Sequence, residues 1–492
     1  MAEFYGIDLG TTYSCIAYID SDDIVQVVSN PKGDLTTPSV VSLDDKGKWT
    51  VGKAAKSRLG SDPDNTVAFI KREMSTPGYT VTLQGKSYTP VDISAKILEH
   101  LVEFANKKRK DEDGLPPIKD VVITVPAYFG SMERERTKEA GIKAGLNVLQ
   151  LINEPTAAAL SYGRKQNNDK KLMVYDLGGG TFDVTIMEFK SGVANTLASR
   201  GDHHLGGADW DRAIVDYALE QIGSKWDNLD KSNQGMMMIS AEEAKKTLTD
   251  EDEYVLTFNH KGLQNVTISR SEFEKRTEML MEKTKMLVEE AMEMAGLKPH
   301  DIDEVLLVGG SSRMPMVENM VGKLYPNSEV KLVDPDRAVA KGAAMTAAQN
   351  DKGYVEGGLI LGMDKGSRAY GISVLNGEGN PYVHNLILLN DDMVVTKKFD
   401  QFQTAEDNYT QLNMHFYESE CEYEEMDIDP SCEIPELHDN QVISWGRPVP
   451  KGTPVSISVE RDKSGLVRVF VECSGAKGEF VLDPTRRGMI KR

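Results

Sequence analysis

The sequence of 492 residues is poor in cysteine, in aromatic residues and in positive charge. None of its four cysteines belongs to a CxxC pair, which argues against a zinc site. Lys and Arg number 57 against 77 Asp and Glu, and the resulting net charge of −20 argues against a nucleic acid or an anionic membrane as partner. No apolar run approaches the roughly 18 residues that a membrane-spanning helix needs.

The start of the chain and its cysteines suggest one compartment. MAEFYGIDLG has no basic segment ahead of its first strand, so we expect no secretory signal. Cys421 and Cys432 are near enough in sequence to pair across a hairpin. Free thiols in a reducing cytoplasm are the simpler expectation. We therefore predict a cytoplasmic protein.

Two acidic, glycine-rich turns of one type occur in two halves of the chain, GIDLGTTYS at 6–14 and YDLGGGTFD at 175–183. In each, an apolar strand ends in Asp-Leu-Gly, and a hydroxyl residue follows. N–H groups in such a turn cradle phosphate oxygens, while the Asp can hold a hydrated Mg²⁺. One turn alone is also compatible with a plain hairpin. The matched pair predicts duplicated lobes that grip one triphosphate from both sides.

The hydrophobic pattern divides the chain near residue 350. Before that point, apolar strands alternate with helical segments, which indicates a sheet covered on both faces. Beyond it, apolar residues alternate with period two between Gly, Pro, Asp and Asn turns, which predicts an antiparallel sandwich. The principal predicted helices are 91–110, 271–296 and 334–349, and the principal predicted strands are 120–128, 409–418, 453–461 and 466–474. The alternating pattern restarts at 170–189, and 303–315 is predicted as a buried strand that runs into a Gly-Gly turn and a helix.

Charged residues complete the predicted site. Asp8, Glu154 and Asp176 each follow a strand-like run close to a Gly or Pro turn, and Asp183 closes the second turn. Carboxylates around one centre repel one another unless a cation lies among them, so Mg²⁺ is implied. A lysine at the transferred phosphate would stabilise developing charge, and Lys71 is the candidate, although most lysines are solvated surface residues.

The segment GGSSR at 309–313 leaves two interpretations open. It is either a structural turn or a contact to the ribose and base of a nucleotide, in which the Arg313 guanidinium stacks on adenine.

Six segments occur in order at familiar spacings: GIDLGTTYS, VPAYF, INEPTAAALSYG, DLGGGTFDV, VGGSSRMP and DPDRAVAKGAA. Through them the chain resembles the heat-shock protein 70 (DnaK-type) chaperone family over nearly its whole length, most specifically over residues 1–350. The resemblance implies an α/β domain plus an all-β domain. The first is an actin-like (ribonuclease H-like, duplicated) ATPase domain at 1–355, a linker follows at 356–366, and an antiparallel β-sandwich that binds peptide occupies 367–485.

The resemblance also implies roles for individual residues, with ATP or ADP and Mg²⁺ as cofactors. Mg²⁺ would be held through water by Asp8, Asp176 and Asp183. Catalysis would rest on Lys71, which positions the hydrolytic water, and on Glu154, Asp176, Asp8 and Thr181. Phosphates would be bound by Gly10, Thr11, Thr12, Tyr13, Gly178, Gly179 and Gly180. The adenosine pocket would comprise Glu242, Lys245, Lys246, Thr249, Gly309, Gly310, Ser311, Arg313 and Asp336.

For the C-terminal part the likeness is more distant. It implies capture of an extended apolar peptide as an added β-strand, and an ordinary sandwich core is the alternative. The peptide groove would be lined by Ile372, Val374, Leu375, Phe402, Ala405 and Leu412. Coupling of nucleotide and peptide would involve Pro126, Arg134, Ile360, Leu361 and Asp364. The implied partners are unfolded or extended polypeptides, a J-domain co-chaperone and a nucleotide exchange factor.

The chain departs from the family pattern at several positions. Lys246 replaces an Arg and Thr249 a Ser in the adenosine pocket, so adenine would be held less tightly, because an ammonium stacks less well than a guanidinium. Gly362 stands where the linker has Leu, and Gln150 replaces the Arg that pairs with Asp364 and engages J-domains. The family's helical lid does not follow the sandwich in this sequence, which is either a piece of a longer chain or a naturally lidless protein. Without a lid, we expect weak binding and fast exchange of peptide.

The reading that follows is an ATP-hydrolysing chaperone with coupled nucleotide and peptide sites. Two alternatives remain at this stage. A small-molecule kinase shares the actin-like fold but does not need a sandwich after its nucleotide domain. A nucleotide-binding scaffold without turnover would not need Asp8, Lys71, Glu154 and Asp176.

Overall fold

The structure is a computed structural model that describes residues 4–20, 22–114, 116–163, 169–259, 262–352, 360–362, 364–434 and 442–482. The chain forms two compact units, Met1–Ala127 with Thr137–Gly362 and Tyr128–Arg136 with Met363–Arg492. Parts of the predicted domain ends and linker, at 353–359, 363 and 483–485, lie outside the described residues. None of the helices in the described ranges has the length and apolarity to cross a bilayer.

The strands of the first unit are β1 (Phe4–Asp8), β2 (Tyr13–Ile19), β3 (Val25–Val27), β4 (Thr37–Pro38), β5 (Val41–Leu43), β6 (Trp49–Val51), β7 (Thr66–Val67), β8 (Val81–Leu83), β9 (Lys86–Tyr88), β10 (Asp120–Val125), β11 (Asn147–Asn153), β12 (Lys170–Leu177), β13 (Phe182–Lys190), β14 (Val193–Asp202), β15 (Glu253–Asn259), β16 (Leu263–Ser269), β17 (Glu304–Val308), β18 (Glu329–Leu332) and β19 (Ile360–Leu361).

The helices of the chain are α1 (Lys53–Lys56), α2 (Arg58–Ser61), α3 (Pro90–Asp113), α4 (Ser131–Lys143), α5 (Glu154–Gly163), α6 (Gly207–Gln221), α7 (Lys231–Asp250), α8 (Arg270–Arg276), α9 (Glu278–Met294), α10 (Pro315–Leu324) and α11 (Ala338–Lys352). Short 3₁₀ turns occur at Pro63–Asn65, Ile70–Ser75, Trp226–Asn228, Pro299–Asp301, Gly310–Arg313 and Pro430–Cys432.

Two sheets of the first unit have the same strand order. One runs β11-β10-β1-β2-β3, and the other runs β18-β17-β12-β13-β14 with β19 added at its edge. In the first sheet, β1 pairs antiparallel with β2 and parallel with β10. In the second sheet, β12 likewise pairs antiparallel with β13 and parallel with β17. Asp8 and Asp176 lie at matching places near the carboxyl ends of β1 and β12. The mixed α/β class is therefore visible in the topology, and the two sheets repeat one strand order.

Two small-residue helices pack tightly around the sheets. Helix α11 follows the second sheet in sequence but packs against β1, β2 and β10 of the first, and it also contacts α5. A Cβ on Gly342 would collide with the Ala157 backbone, and one on Gly6 would collide with the backbone at Ala343 and Ala344. This spacing needs small residues, because interiors at native density have no room for an added methyl group.

One predicted helix is wrong in extent. The segment 271–296 was expected to be a single helix, but it is divided into α8 and α9 at Thr277, whose φ is −106° and ψ is 8°. The Thr277 hydroxyl donates to the Phe273 carbonyl at 2.9 Å. A side chain that bonds the carbonyl four residues earlier tends to bend a helix. Periodicity alone did not reveal this break.

The second unit is built from short antiparallel strands. They are β20 (Ala369–Leu375), β21 (Pro381–Ile387), β22 (Val395–Gln403), β23 (Tyr409–Asn413), β24 (Phe416–Ser419), β25 (Glu425–Met426), β26 (Val442–Val449), β27 (Pro454–Arg461), β28 (Val467–Cys473) and β29 (Ala476–Val481). The sheets β24-β20-β21-β25 and β22-β27-β28-β29 share one apolar core. The predicted strand at 409–418 is divided between β23 and β24. All four cysteines of the chain are free.

Candidate active site

The two glycine-rich turns meet within the first unit. A Cβ on Gly179 would collide with the Thr12 side chain, and one on Gly180 would collide with Thr11. Only residues without a side chain allow the second turn to approach the first so closely. The Thr12 hydroxyl oxygen is buried and has no hydrogen-bond partner within the described ranges. A buried polar atom without a partner is costly, so this one fits a site made for a polar ligand.

Neighbouring segments hold each turn in place. The Ser39 hydroxyl donates to the Gly10 carbonyl at 2.7 Å. In the second turn, the Gly178 N–H donates to the Thr181 carbonyl at 3.0 Å. The start of α6 is attached to this turn, since Gly207 donates to the Gly178 carbonyl at 2.9 Å. The turns are therefore fixed before any ligand arrives.

The predicted carboxylates gather beside these turns. Burial, with the charge of Glu154 added, raises the pKa of Asp8 to about 7, although Lys71 and a hydrogen bond from Thr124 oppose the shift. Burial, followed by the charges of Glu154, Asp183 and Asp8, raises the pKa of Asp176 well above its ordinary value. Carboxylates that destabilise one another in this way suit a site that a cation completes.

The donor set fits Mg²⁺ held through water. Within the described ranges, no three His, Cys, Asp or Glu side chains converge closely enough to ligate a metal ion directly. Mg²⁺ characteristically keeps several of its waters and takes few direct protein ligands. Asp8, Asp176 and Asp183 are therefore residues that could hold a hydrated ion.

Lys71 forms a buried ion pair with Glu154. Its ammonium lies 2.5 Å from a Glu154 carboxylate oxygen, and the two side chains are 4% and 11% exposed. Lys71 belongs to the 3₁₀ turn Ile70–Ser75, which follows Phe69 with a φ of 58°. A bulky residue in the left-handed region is an outlier of a kind that clusters at functional sites. Two residues that were predicted separately, Lys71 and Glu154, are thus in direct contact although they lie 83 positions apart in sequence.

Arg72 is a site residue that the sequence interpretation missed. Its guanidinium donates to the Gly180 carbonyl at 2.9 Å and to the Asp209 carboxylate at 2.7 Å. Asp209 in turn accepts from the Gly206 N–H at 2.8 Å, at the start of α6. Arg72 therefore supports the second turn from the segment that carries Lys71. The only signal in the sequence was that Arg72 directly follows Lys71. The partners of Arg72 lie more than a hundred positions away, so the local sequence does not indicate them.

A second ionic cluster surrounds Tyr13 at the beginning of β2. The Tyr13 hydroxyl donates to Glu242 at 2.8 Å and accepts from Lys246 at 3.0 Å and from Lys56 at 3.1 Å. Lys56 and Lys246 also pair with the Glu242 carboxylate. Although burial raises the pKa of Glu242, the two lysines outweigh it and hold that pKa at about 2. Lys56 was not predicted, because the local sequence gives no sign of this contact.

Lys245 points elsewhere than its neighbour Lys246. Its ammonium lies 2.8 Å from Asp211 and donates to the Gly207 carbonyl at 2.8 Å. Burial raises the pKa of Asp211 to about 6 in spite of this lysine. A cavity of about 410 Å³, which includes space open to solvent, is lined by members of both clusters. It is lined by Thr11, Thr12, Val40, Lys56, Leu59, Ala68, Phe69, Asp211, Met238, Ile239 and Glu242.

The remaining predicted adenosine residues are only partly brought together. Gly309 has a φ of 78°, and a Cβ there would lie 2.5 Å from an Asp176 carboxylate oxygen, so this segment adjoins the second turn. Arg313 pairs with Asp336 at 2.6 Å, and both side chains are nearly half exposed. The Thr249 hydroxyl instead donates to the Lys245 carbonyl in its own helix at 3.3 Å.

The predicted peptide-groove residues have unequal exposure. Ile372 is 1% exposed and belongs to the sandwich core. Val374, Phe402 and Leu412 are partly buried against that core, while Leu375 is 49% exposed. Ala405 is also partly exposed, just after β22.

The predicted coupling residues fall in both units. Ile360 and Leu361 form β19, which pairs in parallel with Val193 and Ala194 at the edge of the second sheet. The Gly362 N–H donates to the Ala194 carbonyl at 2.9 Å. Pro126 is buried directly after β10.

Three further polar residues form hydrogen bonds. Arg134 is 3% exposed and donates to the carbonyls of Phe129 and Ser464 at 2.8 and 3.4 Å. Gln150, which replaces the expected Arg, accepts from Asn350 at 3.0 Å. Asp364 accepts through its main-chain carbonyl from the Met393 N–H at 2.6 Å.

Two glycine-rich turns that approach each other closely, clustered carboxylates and a buried lysine define a site suited to phosphoryl transfer from a nucleotide. Comparison with known proteins identifies the family. The profile described as "Hsp70 protein" matches residues 4–79 and 73–479. Two relatives described as "Chaperone protein DnaK", from Thermosipho melanesiensis and Thermosipho africanus, are each 38% identical over 493 aligned positions, covering 96% of this chain and 78% of the relative. The chain belongs to the Hsp70 family of ATP-hydrolysing chaperones.

Proposed function

We propose that the first unit is an actin-like ATPase domain that hydrolyses ATP with Mg²⁺, and that the second unit holds extended apolar peptide under the control of the nucleotide. The contact between the two phosphate turns, with Lys71 and Glu154 beside it, carries the proposal. The profile match reaches residue 479, through the sandwich, so the kinase alternative loses its support.

In the nucleotide site, the turns at 10–13 and 178–181 hold the phosphates, and Thr181 contributes its hydroxyl. Asp8, Asp176 and Asp183 would hold a hydrated Mg²⁺, which would neutralise charge on the phosphates. Lys71 orients the attacking water, and Glu154 fixes the Lys71 ammonium in place. Because both residues are buried, bulk water is largely kept from this pair.

At the other end of the nucleotide, the adenosine moiety is held between the segment at 309–313 and helix α7. Glu242 and Lys246, tied to Tyr13, close this part of the cleft. Arg313, which is paired with Asp336 at 2.6 Å, stacks on the base in this proposal. The remaining members of the pocket are Lys245, Thr249, Gly309, Gly310 and Ser311.

In the sandwich, the peptide adds to the strands as an extended segment, with Val374, Leu375, Phe402, Ala405 and Leu412 at the groove and Ile372 supporting it from the core. The domain boundaries remain 1–355, 356–366 and 367–485. The proposed coupling residues are Pro126, Arg134, Ile360, Leu361 and Asp364. The proposed partners are unfolded polypeptides, a J-domain co-chaperone and a nucleotide exchange factor. The proposed compartment is the cytoplasm.

Lys71→Ala tests the catalytic assignment. Single-turnover ATP hydrolysis should slow by about 10²–10³-fold, because the water loses its positioning group. Lys53→Ala is the matched control, since Lys53 is 55% exposed in a surface pair with Asp34. Hydrolysis by Lys71→Ala at the wild-type rate would refute the assignment. ATP affinity measured in parallel separates a loss of binding from a loss of chemistry.

A further inference from the structure

A buried arginine ends the strand β27 of the sandwich. Arg461 is 3% exposed and lies opposite Val395, the first residue of β22. Among the described residues its guanidinium bonds backbone carbonyls and no carboxylate. The acceptors are Met393 at 3.1 Å, Arg368 at 3.5 Å, Asp391 at 2.7 Å and Asp392 at 2.8 Å. A buried cation is tolerated only where its donors are satisfied, so these carbonyls are held where the guanidinium needs them.

The four carbonyls come from two segments, 364–368 and 391–393, that are also bonded to each other. The Met393 N–H donates to the Asp364 carbonyl at 2.6 Å, and the Gly366 N–H donates to the Asp391 carbonyl at 3.0 Å. A salt bridge of 2.6 Å joins Lys365 to Asp392. The two segments thus form one hydrogen-bonded patch.

Gly366 lies directly on the guanidinium. A Cβ there would come within 2.5 Å of the Arg461 Nη2 atom and closer still to its neighbours. The far end of a flexible side chain can move away from a methyl group, but this one would have to give up bonds to several carbonyls. Gly366 and Arg461 are therefore matched to each other.

The two segments lead into the strands that carry the proposed peptide groove. Segment 364–368 contains the end of the predicted linker and continues directly into β20, which bears Val374 and Leu375. Segment 391–393 is followed by β22, which bears Phe402. Arg461 contacts both segments at the places where they enter the sandwich.

We propose that Arg461 is a positioning residue that makes the end of the linker and the starts of β20 and β22 move as one body, so that a change at the linker reaches both strands of the groove. This inference rests on the proposed coupling of nucleotide and peptide. Lysine cannot replace the arginine, because a single ammonium does not have the forked donor geometry that reaches carbonyls on both segments.

The test is Arg461→Lys in the full chain, with a labelled extended apolar peptide. The ratio of peptide dissociation rates with ATP and with ADP should fall at least about fivefold toward unity, the lower end of typical coupling between sites. Peptide affinity with ADP should stay within about twofold of wild type, because the groove residues are not altered. Arg468→Lys, at an exposed position of β28 in the same sheet, should leave both quantities unchanged.

Gly366→Ala provides a second variant from the other side of the contact and should lower the same ratio. A wild-type ratio in both variants would overturn the inference. A parallel loss of affinity and melting temperature at an unchanged ratio would also overturn it, since Arg461 would then be only structural. A wild-type protein whose peptide release does not respond to ATP would instead refute the proposed coupling, and the inference with it.

Discussion

The two phosphate turns occupy matching positions in sheets of the same strand order, yet their side chains differ. The first turn presents Thr11, Thr12 and Tyr13, whereas the second has three glycines before Thr181. The threonines fill the space that the glycines leave, since a Cβ on Gly179 or Gly180 would collide with them. The lobes are therefore complementary halves of one site rather than two equivalent copies.

The carboxylates of the two turns differ in a related way. Asp8 is partly exposed and accepts a hydrogen bond from Thr124 at 3.1 Å. Asp176 is 6% exposed and pairs in register with Asp183 across β12 and β13. The pKa of Asp8 is raised to about 7, whereas that of Asp176 is raised well above its ordinary value with Asp183 among the causes. More buried negative charge therefore lies at the second turn than at the first.

Gly179→Ala should disturb the fit of the turns most. The added methyl must displace Thr12, and a misplacement of about 1 Å at a catalytic site costs about 10²-fold in rate. Single-turnover ATP hydrolysis measures the loss. Gly322→Ala is the control, because a Cβ there meets no atom within 4 Å.

The double variant Gly179→Ala with Thr12→Gly sharpens this comparison. Removing the Thr12 side chain gives the methyl room, so part of the lost rate of single-turnover ATP hydrolysis should return. If the double variant hydrolyses ATP no faster than Gly179→Ala alone, the turns are not complementary in the way described.

Arg72→Lys should affect the second turn alone. A lysine cannot donate simultaneously to the Gly180 carbonyl and the Asp209 carboxylate with forked geometry. We expect the turnover number to fall about tenfold, the lower end of the loss typical of a residue that orients a functional group. Arg212→Lys is the matched control, since Arg212 pairs with Asp216 at the surface. Equal turnover in the two variants would show that Arg72 does not support the turn.

The pH dependence of stability should distinguish the two aspartates in the absence of Mg²⁺. Asp8 has a pKa of about 7 in the folded chain against an ordinary 3.8, so between those values the folded chain binds more protons than the unfolded chain. The free energy of unfolding therefore falls as the pH rises from about 4 to about 7. Because Asp8 is partly exposed, we expect it to contribute about 2 kcal/mol of this fall, less than the full shift would give.

Denaturant unfolding with a chelator at several pH values measures that slope. Asp8→Asn should flatten it by the Asp8 share and leave the share of Asp176. An unchanged slope in Asp8→Asn would mean that the raised pKa belongs to another group.

Lys56→Met should have the smallest effect, because it changes only contacts in the cluster around Tyr13, at the end of the first turn. It removes a partly buried pair with Glu242, whose side chains are 19% and 12% exposed. A pair of this kind contributes about 1 kcal/mol, so ADP should dissociate about fivefold faster. Stopped-flow release of a fluorescent ADP analogue measures the rate. Lys53→Met should not change it, and an unchanged rate in Lys56→Met would exclude a closing role for this cluster.

The sequence was most informative where a function needs one local pattern. Asp8 and Asp176 could be selected because each lies near the end of an apolar strand before a glycine turn, and their role at a nucleotide stays a prediction. Arg72 and Lys56 could not be found in this way. Their partners lie 108 and 186 positions away, and no local period encodes such a contact.

The predicted ends of helices and strands were wrong for a related reason. The apolar period of 271–296 continues across Thr277, and only the hydroxyl bond to Phe273 shows the break. In the sandwich, period-two alternation identified strands but not which side chains line a groove. Ile372 was assigned to the groove by motif and lies in the core at 1% exposure.

The dissociation rate of a labelled extended apolar peptide, measured first with ADP and then with ATP, tests the central claim most directly. The account predicts markedly faster release with ATP, since nucleotide and peptide would oppose each other through one two-state equilibrium. Identical rates with ATP hydrolysis intact would contradict it, and would leave an ATPase whose sandwich is not controlled by the nucleotide.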